Sequence, residues 1–427
     1  MIGMCQQVGP RLAWGRKLGT IVFGLCLLVY IAANFGPLKQ YLQEQEGDRG
    51  TKADIQGVFR GTEDDGSSGG AEAGDTYSMQ QARNAERVSR VREVCDALGR
   101  PTSTQDTRSR LLIVRSRKFA ICYVPKAGCT FWKRLILALQ VNKTDIFEFT
   151  KNQAHSQSID SVLKIPKFDA AYKFLSEATR VMFVRDPYSR LYSAYVDKFY
   201  LGDFWAMGRR IIQLVRRNAT RESLACGHDL TFEEFLRYAL KVSGDQSVQG
   251  PDEHWFPISK LCHPCTFDYH IIGKQETFSD DRDYVMDTVG ISGLVNLSST
   301  TEILARDGMK QTVDMAWDKL AKCMSRKDFC RRMWTSYITQ GYIHSSQSFP
   351  EERINQNTSK EGFLKLAMEA YHQNPPTAEE RKKQRQEAMI NAYTTVSPKL
   401  LEQIRHVYDL DFQLFNYPIR PDELFIR

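Results

Sequence analysis

Two segments decide the fold: Tyr123-Val-Pro-Lys-Ala-Gly-Cys-Thr-Phe-Trp-Lys133 and Met182-Phe-Val-Arg-Asp-Pro-Tyr-Ser-Arg-Leu-Tyr-Ser193. Each contains the end of a short apolar run that favours a β-strand, and each then opens a pattern with helical spacing. Two strand–loop–helix units within one domain predict an α/β fold with a parallel sheet flanked by helices. The loops between strand and helix are therefore the first places to search for a functional site.

The first segment predicts an anion site. Residues 119–124 form the apolar run, and Pro125 ends it. Gly128 lets the backbone approach a ligand closely, and Thr130 is a good N-cap for the helix. Free N–H groups and the positive end of the helix dipole then attract an anion within reach of Lys126. The ATP-binding pattern GxxxxGKS/T is absent, and the alternative is an ordinary βα turn with a surface lysine. The residues assigned to this loop are Pro125, Lys126, Ala127, Gly128, Cys129, Thr130 and Phe131.

The second segment predicts a phosphate site of a different kind. Asp186 is suited to cap the following helix, and Pro187 suits its first position. Arg185 at the strand end and Ser193 about two helical turns later are placed to converge on one phosphate. The alternative is a capped helix in which Arg185 simply pairs with Asp186. The residues assigned to this loop are Arg185, Asp186, Pro187, Tyr188, Ser189, Arg190, Leu191, Tyr192 and Ser193.

These motifs resemble the Golgi carbohydrate sulfotransferases that include the chondroitin and dermatan 4-O-sulfotransferases. The pattern PKxxCxxWK is followed by VRDPxxRLxSAYxxKF. Three further blocks of that family's pattern are Asp252-Glu-His-Trp-Phe-Pro257 with Leu261-Cys-His-Pro-Cys265, Ile272-Gly-Lys-Gln-Glu-Thr277, and Tyr408-Asp-Leu-Asp-Phe-Gln-Leu-Phe-Asn-Tyr417. The blocks cover residues 111–280 and 400–420, whereas residues 300–398 match poorly.

The resemblance implies the P-loop-like sheet of the sulfotransferase fold, with 3′-phosphoadenosine-5′-phosphosulfate (PAPS) as donor and a sugar hydroxyl as acceptor. Lys126 would contact the bridging oxygen between phosphate and sulfate, and Arg185 and Ser193 would hold the 3′-phosphate. The leading acceptor is the 4-OH of N-acetylgalactosamine in chondroitin or dermatan. The alternatives are another hydroxyl, such as the 3-OH of a terminal glucuronic acid, or a catalytically silent glycan-binding protein of the same fold. A kinase would need the Walker lysine pattern and acidic magnesium ligands, which are absent.

The reaction also needs a general base, and histidine suits that role near neutral pH. His155 lies between the two donor loops, where the wider family of Golgi sulfotransferases places its base, and it is our prediction. His254, in the His-Trp block, is the alternative. If neither histidine is catalytic, the alternative interpretation is that His155 is a solvated loop residue and His254 a core histidine beside Trp255.

The N-terminal region predicts a membrane anchor. Residues 18–35 form an uncharged, mostly apolar run that spans about 27 Å as a helix. Basic residues precede it, so the positive-inside rule places residues 1–17 in the cytosol. Residues 36 to about 92 have few large apolar side chains, and residues 36–104 predict a lumenal stem. Within it, the periodic apolar residues of 80–98 suit a helix that leads into the domain, and residues 105–427 predict the lumenal catalytic domain. A cleaved signal peptide is the alternative, although the run is long for one. We expect a single-pass type II protein of the Golgi membrane.

Charge and cysteine content agree with this compartment. The net charge of +7 suits a polyanionic partner such as a glycosaminoglycan or glycoprotein glycan, and no nucleic-acid-binding motif is present. Eight of the ten cysteines follow the apolar run, which suggests disulfides in an oxidising lumen. The pair Cys262 and Cys265 lacks a second pair at zinc-ribbon spacing, so we expect no metal. The N-glycosylation sequons start at Asn142, Asn218, Asn296 and Asn357.

The topology makes a testable prediction. Glycosidase treatment of the expressed chain should increase its gel mobility, because N-glycans attach only in the lumen. Sealed microsomes should protect residues 105–427 from added protease, and detergent should remove that protection. Complete digestion of this region in sealed microsomes would contradict the predicted orientation.

Overall fold

The computed structural model describes residues 69–99, 110–156, 168–245, 252–297, 301–320 and 323–426. The predicted cytosolic tail, the membrane anchor and most of the stem lie outside these residues. Within the described residues, no helix combines the length and apolar character needed to cross a bilayer. The chain divides into two units, one of residues 1–66 and 139–143 and one of residues 67–138 and 144–427. The strands and the candidate site belong to the second unit.

Four strands form one mixed sheet in the order β1 Leu111–Val114, β2 Phe119–Cys122, β3 Thr179–Val184 and β4 Ile271–Lys274. The β2–β3 and β3–β4 pairs are parallel, whereas β1 runs antiparallel to β2. The prediction of a parallel sheet is therefore wrong at this edge. The reason is the connection, because only residues 115–118 separate β1 from β2, and a parallel crossover needs a dozen or more residues.

Helices surround the sheet. Short 3₁₀ turns occupy Arg115–Arg117, Ile146–Glu148, Gln275–Thr277 and Glu351–Arg353, and a π-helical turn occupies Val196–Tyr200. The α-helices are α1 Gly69–Ala97, α2 Cys129–Gln140, α3 Lys151–Ala154, α4 Phe168–Glu177, α5 Pro187–Tyr195, α6 Trp205–Val215, α7 Arg221–Cys226, α8 Phe232–Gly244, α9 Ile258–Cys262, α10 Phe278–Thr288, α11 Thr301–Leu320, α12 Arg326–Thr339, α13 Lys360–Gln373, α14 Ala378–Thr394, α15 Pro398–Val407, α16 Asp409–Phe415 and α17 Asp422–Phe425.

Helix α1 lies within the range predicted as stem, yet it packs against the folded unit. Arg87 donates one hydrogen bond to the Asp281 carboxylate at 2.7 Å and one to the carbonyl of Ile272 on β4 at 3.0 Å. A disulfide between Cys95 and Cys265 joins the last turn of α1 to the segment before β4. The C-terminal part of the predicted stem is thus held to the domain by covalent and polar contacts.

The core fixes α2 against the strands that lead into the two loops. β2 is buried along its whole length, as expected for a strand covered on both faces. The ring of Trp132 on α2 lies 6.0 Å from Phe119 on β2 and 5.1 Å from Phe183 on β3, centroid to centroid. An added Cβ at Gly273 on β4 would lie 2.4 Å from the Phe183 ring, so this glycine leaves space for the aromatic packing.

Helices α11, α12 and α13 form a second hydrophobic cluster within the stretch that resembled the family poorly. Phe363 is fully buried there, its ring centroid 6.0 Å from that of Tyr337. The Tyr337 hydroxyl donates to the carbonyl of Met309 at 2.9 Å, so the polar end of this ring is satisfied. Val196 and Leu201 join the same cluster, and the π turn is thereby anchored on it.

The predicted disulfides are present. The bonds are Cys95–Cys265, Cys122–Cys262 and Cys226–Cys323, whereas Cys129 and Cys330 are free. Cys262 and Cys265 each bond a cysteine of another element, so neither thiolate remains for a metal. The described residues contain no cluster of histidine, cysteine and carboxylate side chains suited to holding a metal ion.

The disulfide between Cys226 and Cys323 yields a stability prediction. It joins residues 97 apart, and removal of a cross-link over such a loop costs about 2–5 kcal/mol. Cys226→Ser, Cys323→Ser and the double variant should all lower the free energy of unfolding equally, because each breaks the same bond. Guanidinium denaturation without reductant measures this, with Cys330→Ala as the control for loss of a free thiol. A double variant that loses twice as much as either single variant would contradict the prediction.

Candidate active site

The loops after β2 and β3 are in direct contact. β2 and β3 are parallel, so their carboxyl ends meet at one edge of the sheet. Arg185 donates through Nη1 to the carbonyl of Lys126 at 3.0 Å and through Nε to the hydroxyl of Ser189 at 2.6 Å. Asp186 caps α5 by accepting from the backbone N–H of Ser189 at 2.8 Å, with Pro187 at the first helical position, as predicted. Within the described residues Arg185 therefore binds the first loop and forms no ion pair with Asp186.

The first loop has an unusual backbone. Lys126 has a φ of 70° and Gly128 a φ of 83°. A non-glycine residue in this left-handed region is uncommon, and such strain is concentrated at functional sites. An added Cβ at Gly128 would lie 2.4 Å from the ring of Phe278, so the glycine is needed for packing against α10 as well as for the turn.

Helix α2 begins two residues earlier than predicted, at Cys129 instead of Phe131. The carbonyl of Gly128 accepts from the N–H groups of Phe131 and Trp132, so Thr130 lies in the first turn rather than at the N-cap. The Thr130 hydroxyl is instead 3.0 Å from Nε2 of His155. The left-handed turn at Gly128 explains the shift, because it allows the helix to start at once after the glycine.

A cavity of about 510 Å³ opens where the loops meet. Residues of both loops and both candidate histidines line this cavity. The predicted residues that line it are Pro125, Lys126, Gly128, Cys129, Thr130, Phe131, His155, Arg185, Ser193 and His254. Unpredicted residues that line it include Tyr123, Lys151, Asn152, Asp197, Lys198, Asp203, Phe204, Glu253, Gln275 and Met315.

The remaining predicted residues do not line this cavity and support its walls instead. Asp186 and Pro187 start α5, and Ser189 binds Arg185. The Tyr188 hydroxyl donates to the carbonyl of Ile419 at 2.7 Å. The others, which pack within the fold, are Ala127, Arg190, Leu191 and Tyr192.

Arg190 connects the cavity walls. Its guanidinium is buried and donates to the carbonyls of Pro125 at 3.1 Å, Glu253 at 2.7 Å and Phe256 at 2.6 Å. The first acceptor precedes Lys126, and the second precedes His254 in sequence. One side chain therefore sets the distance between the first loop and the histidine segment.

His155 reaches the cavity from the end of α3. Thr150 and Gln153 form a capping box that holds this short helix. Packing around the His155 ring, together with the ammonium groups of Lys133 and Lys151, lowers its pKa to about 3, although the residue as a whole is exposed. The ring is therefore neutral at physiological pH, with one of its two nitrogens unprotonated.

His254 is oriented by a carboxylate. Its Nδ1 lies 2.6 Å from Oδ1 of Asp252, and its ring meets the Phe204 ring edge-on at 5.7 Å. Burial lowers the pKa of His254, and the hydrogen bond with Asp252 opposes this. Asp252 favours the tautomer with hydrogen on Nδ1, which leaves Nε2 as the acceptor.

A cluster of charges at the same cavity was not predicted from the sequence. The carboxylate of Asp197 lies 3.0 Å from the ammonium nitrogen of Lys126 and 3.5 Å from those of Lys151 and Lys198. Lys198 also pairs with Asp203 at 2.8 Å. The available signal in the sequence was Lys198, the lysine of the SAYxxKF motif.

Comparison with known proteins agrees with this geometry. The model of the sulfotransferase family matches residues 109–332. Carbohydrate sulfotransferase 11 of Mus musculus is 36% identical over 196 residues, which are 44% of this chain and 55% of that protein. Carbohydrate sulfotransferase 9 of Homo sapiens is 34% identical over 223 residues, which are 50% of this chain and 49% of that protein. The chain thus spans about half the length of these relatives.

A longer match extends over more of the chain. Carbohydrate sulfotransferase 11 of Danio rerio is 30% identical over 294 residues, which are 66% of this chain and 79% of that protein. No solved structure matches the chain significantly. The matching family model covers both loops, both histidines and all three strands that form the parallel part of the sheet. The chain therefore belongs to the sulfotransferase family.

Proposed function

We propose that the chain transfers a sulfuryl group from PAPS to a glycan hydroxyl. The observation that carries the proposal is the convergence of Lys126, Arg185 and Ser193 with His155 and His254 in one cavity. These groups cover the three tasks of a sulfotransferase, which are binding the 3′-phosphate, stabilising the leaving phosphate and accepting the proton of the attacking hydroxyl. The names of the relatives, which are carbohydrate sulfotransferases, support the same class of acceptor.

The residues of the cavity fit the donor. A bound donor supplies the sulfuryl group, a leaving phosphate and a 3′-phosphate. The Arg185 guanidinium and the Ser193 hydroxyl suit the 3′-phosphate, because a planar fork and a hydroxyl both donate to phosphate oxygens. The Lys126 ammonium group suits the 5′ side, where it would stabilise charge on the leaving oxygen.

Two histidines are candidates for the general base. We propose His155 as the base, because its contact with Thr130 places the ring beside the first turn of α2 and thus beside the loop of Lys126. His254 is the alternative, because Asp252 orients its ring as a carboxylate orients the histidine of many acid–base sites. Either ring would accept the proton of the attacking hydroxyl.

The proposed acceptor is the 4-OH of N-acetylgalactosamine in chondroitin or dermatan, and the proposed location is the Golgi membrane with a lumenal domain. The motif resemblance supports the acceptor, and the disulfides support an oxidising compartment. Purified full-length chain, labelled PAPS and a panel of desulfated glycans, followed by disaccharide analysis, test this. Label at another hydroxyl would reassign the acceptor, and glycan binding without transfer would indicate a silent binding protein.

The 3′-phosphate assignment predicts the behaviour of two variants. Arg185→Ala and Ser193→Ala should weaken binding of adenosine 3′,5′-bisphosphate, because each removes a charge-assisted hydrogen bond worth about 1.5–3 kcal/mol. Both should discriminate less between this product and adenosine 5′-phosphate, as measured by calorimetry. Arg209→Ala on the exposed face of α6 is the control for loss of an arginine. Unchanged discrimination in folded variants would remove Arg185 and Ser193 from the site.

The role of Lys126 predicts a split between kinetic constants. Lys126→Ala should lower kcat more than it lowers donor affinity, because the contact strengthens as charge develops on the leaving oxygen. Lys126→Arg should rescue kcat only partly, since a planar fork does not replace a compact ammonium group. Steady-state kinetics with direct product binding separate the two effects. Normal kcat with weaker binding would make Lys126 a ground-state contact.

The choice of base predicts opposite results for two variants. His155→Ala should lower kcat by about 10²–10⁴-fold at saturating acceptor, as expected for loss of a general base, while product binding persists. His254→Ala should mainly raise KM for the acceptor. Binding of adenosine 3′,5′-bisphosphate is the folding control for both variants. If His254→Ala is inactive and folded while His155→Ala remains active, His254 is the base.

A further inference from the structure

Asp197 is a carboxylate in a cavity suited to anions. It contacts the ammonium groups of Lys126, Lys151 and Lys198, and all four side chains are at most 21% exposed. Burial by itself would raise the pKa of the Asp197 carboxyl, but the three ammonium groups outweigh it and hold the pKa well below its usual value. Asp197 is therefore charged and would repel any anion that approaches these lysines.

The π turn accounts for the position of this carboxylate. The N–H of Leu201 donates to the carbonyl of Val196 at 3.0 Å, which is the five-residue spacing of a π turn. This wider turn lets the neighbouring residues Asp197 and Lys198 both face the cavity that Ser193 lines one turn earlier. Val196 and Leu201 are packed in the second hydrophobic cluster, so the turn is fixed in this geometry.

Lys126 has two candidate partners. Its ammonium group contacts Asp197 in this structure at 3.0 Å, and the proposed function assigns the same group to the 5′ side of the donor. One compact ammonium group has three N–H donors, but a strong charge pair at 3 Å limits what it offers to a second anion. Burial lowers the pKa of Lys126, and Asp197 opposes this, so the carboxylate also helps the lysine to remain protonated.

We propose that Asp197 competes with the phosphate groups on the 5′ side of the donor for the ammonium group of Lys126. Asp197 is then a positioning residue that weakens the binding of both the donor and its nucleotide product, and so favours product release. The inference rests on the proposed function, because it takes the donor to be a nucleotide phosphosulfate. On this inference Asp197, to which the sequence motifs gave no role, lowers the affinity of the chain for the donor and for the nucleotide product.

The test is calorimetric binding of adenosine 3′,5′-bisphosphate to the purified full-length chain. Asp197→Asn keeps the shape and removes the charge, so the product should bind about tenfold more tightly, as expected when a like charge a few ångströms away is removed. In a Lys126→Met background the same change should tighten binding by no more than about threefold, since the contested ammonium group is gone. Asp203→Asn is the matched control, because Asp203 lies in the same cavity and pairs with Lys198.

The outcomes separate this inference from the proposed function. Unchanged or weaker binding in Asp197→Asn would overturn it, as would equal tightening in Asp203→Asn or in the Lys126→Met background. If the unchanged chain binds adenosine 3′,5′-bisphosphate no better than adenosine 5′-phosphate, the proposed function fails first. If Asp197→Asn does not fold, Asp197→Ser removes the same charge and replaces it in the test. The same tightening of adenosine 3′,5′-bisphosphate binding is then expected, and its absence would overturn the inference.

Discussion

The buried guanidinium of Arg190 is the interaction on which the site depends. A guanidinium has five N–H donors in a fixed plane, and burying it without partners would be very costly. Three backbone carbonyls meet that requirement, and they belong to the first loop and to the segment of His254. The need to satisfy one buried charge therefore holds the loop of Lys126 and the segment of His254 at the same cavity.

A disulfide also links the first loop region to the segment that follows His254. Cys122 ends β2 directly before the first loop, and its disulfide reaches Cys262, which follows the histidine segment in the chain. Asp411 on α16 adds a second restraint by accepting from the backbone N–H groups of Ile258 at 2.6 Å and Ser259 at 2.8 Å. Loops normally vary and move, so these restraints explain how two loops hold a defined cavity.

The charges of the site come largely from one continuous stretch. Residues 185–203 contain Arg185, Ser193, Asp197, Lys198 and Asp203 on a strand end, a helix and a π turn. The first turn of α2 and the short helix α3, with Lys151 at its start and His155 directly after its end, complete the cavity. The cationic groups suit an anionic ligand, and we propose that the carboxylates limit how strongly the cavity holds one. This balance suits an enzyme that must release a charged product.

The sequence by itself determined the features that depend on near neighbours in the chain. The strand–loop–helix units, the cap by Asp186 with Pro187, and the positions of the two loops all follow from residues a few positions apart. The N-cap was placed two residues too late, at Thr130 instead of Gly128, because a left-handed glycine changes where a helix can start. The resemblance to the family also indicated both cavity histidines, His155 from its position between the two loops and His254 from the His-Trp block.

Only the tertiary structure decided which distant groups meet. The disulfide pairings, the three-carbonyl site of Arg190 and the lysine cluster around Asp197 join residues that are far apart in the chain. Local propensity does not predict such contacts. Eight cysteines alone allow 105 pairings, and the sequence around a lysine does not show which side chain the fold brings into contact with it. Their choice depends on burial, since a charge removed from water must find its partner wherever the fold brings one.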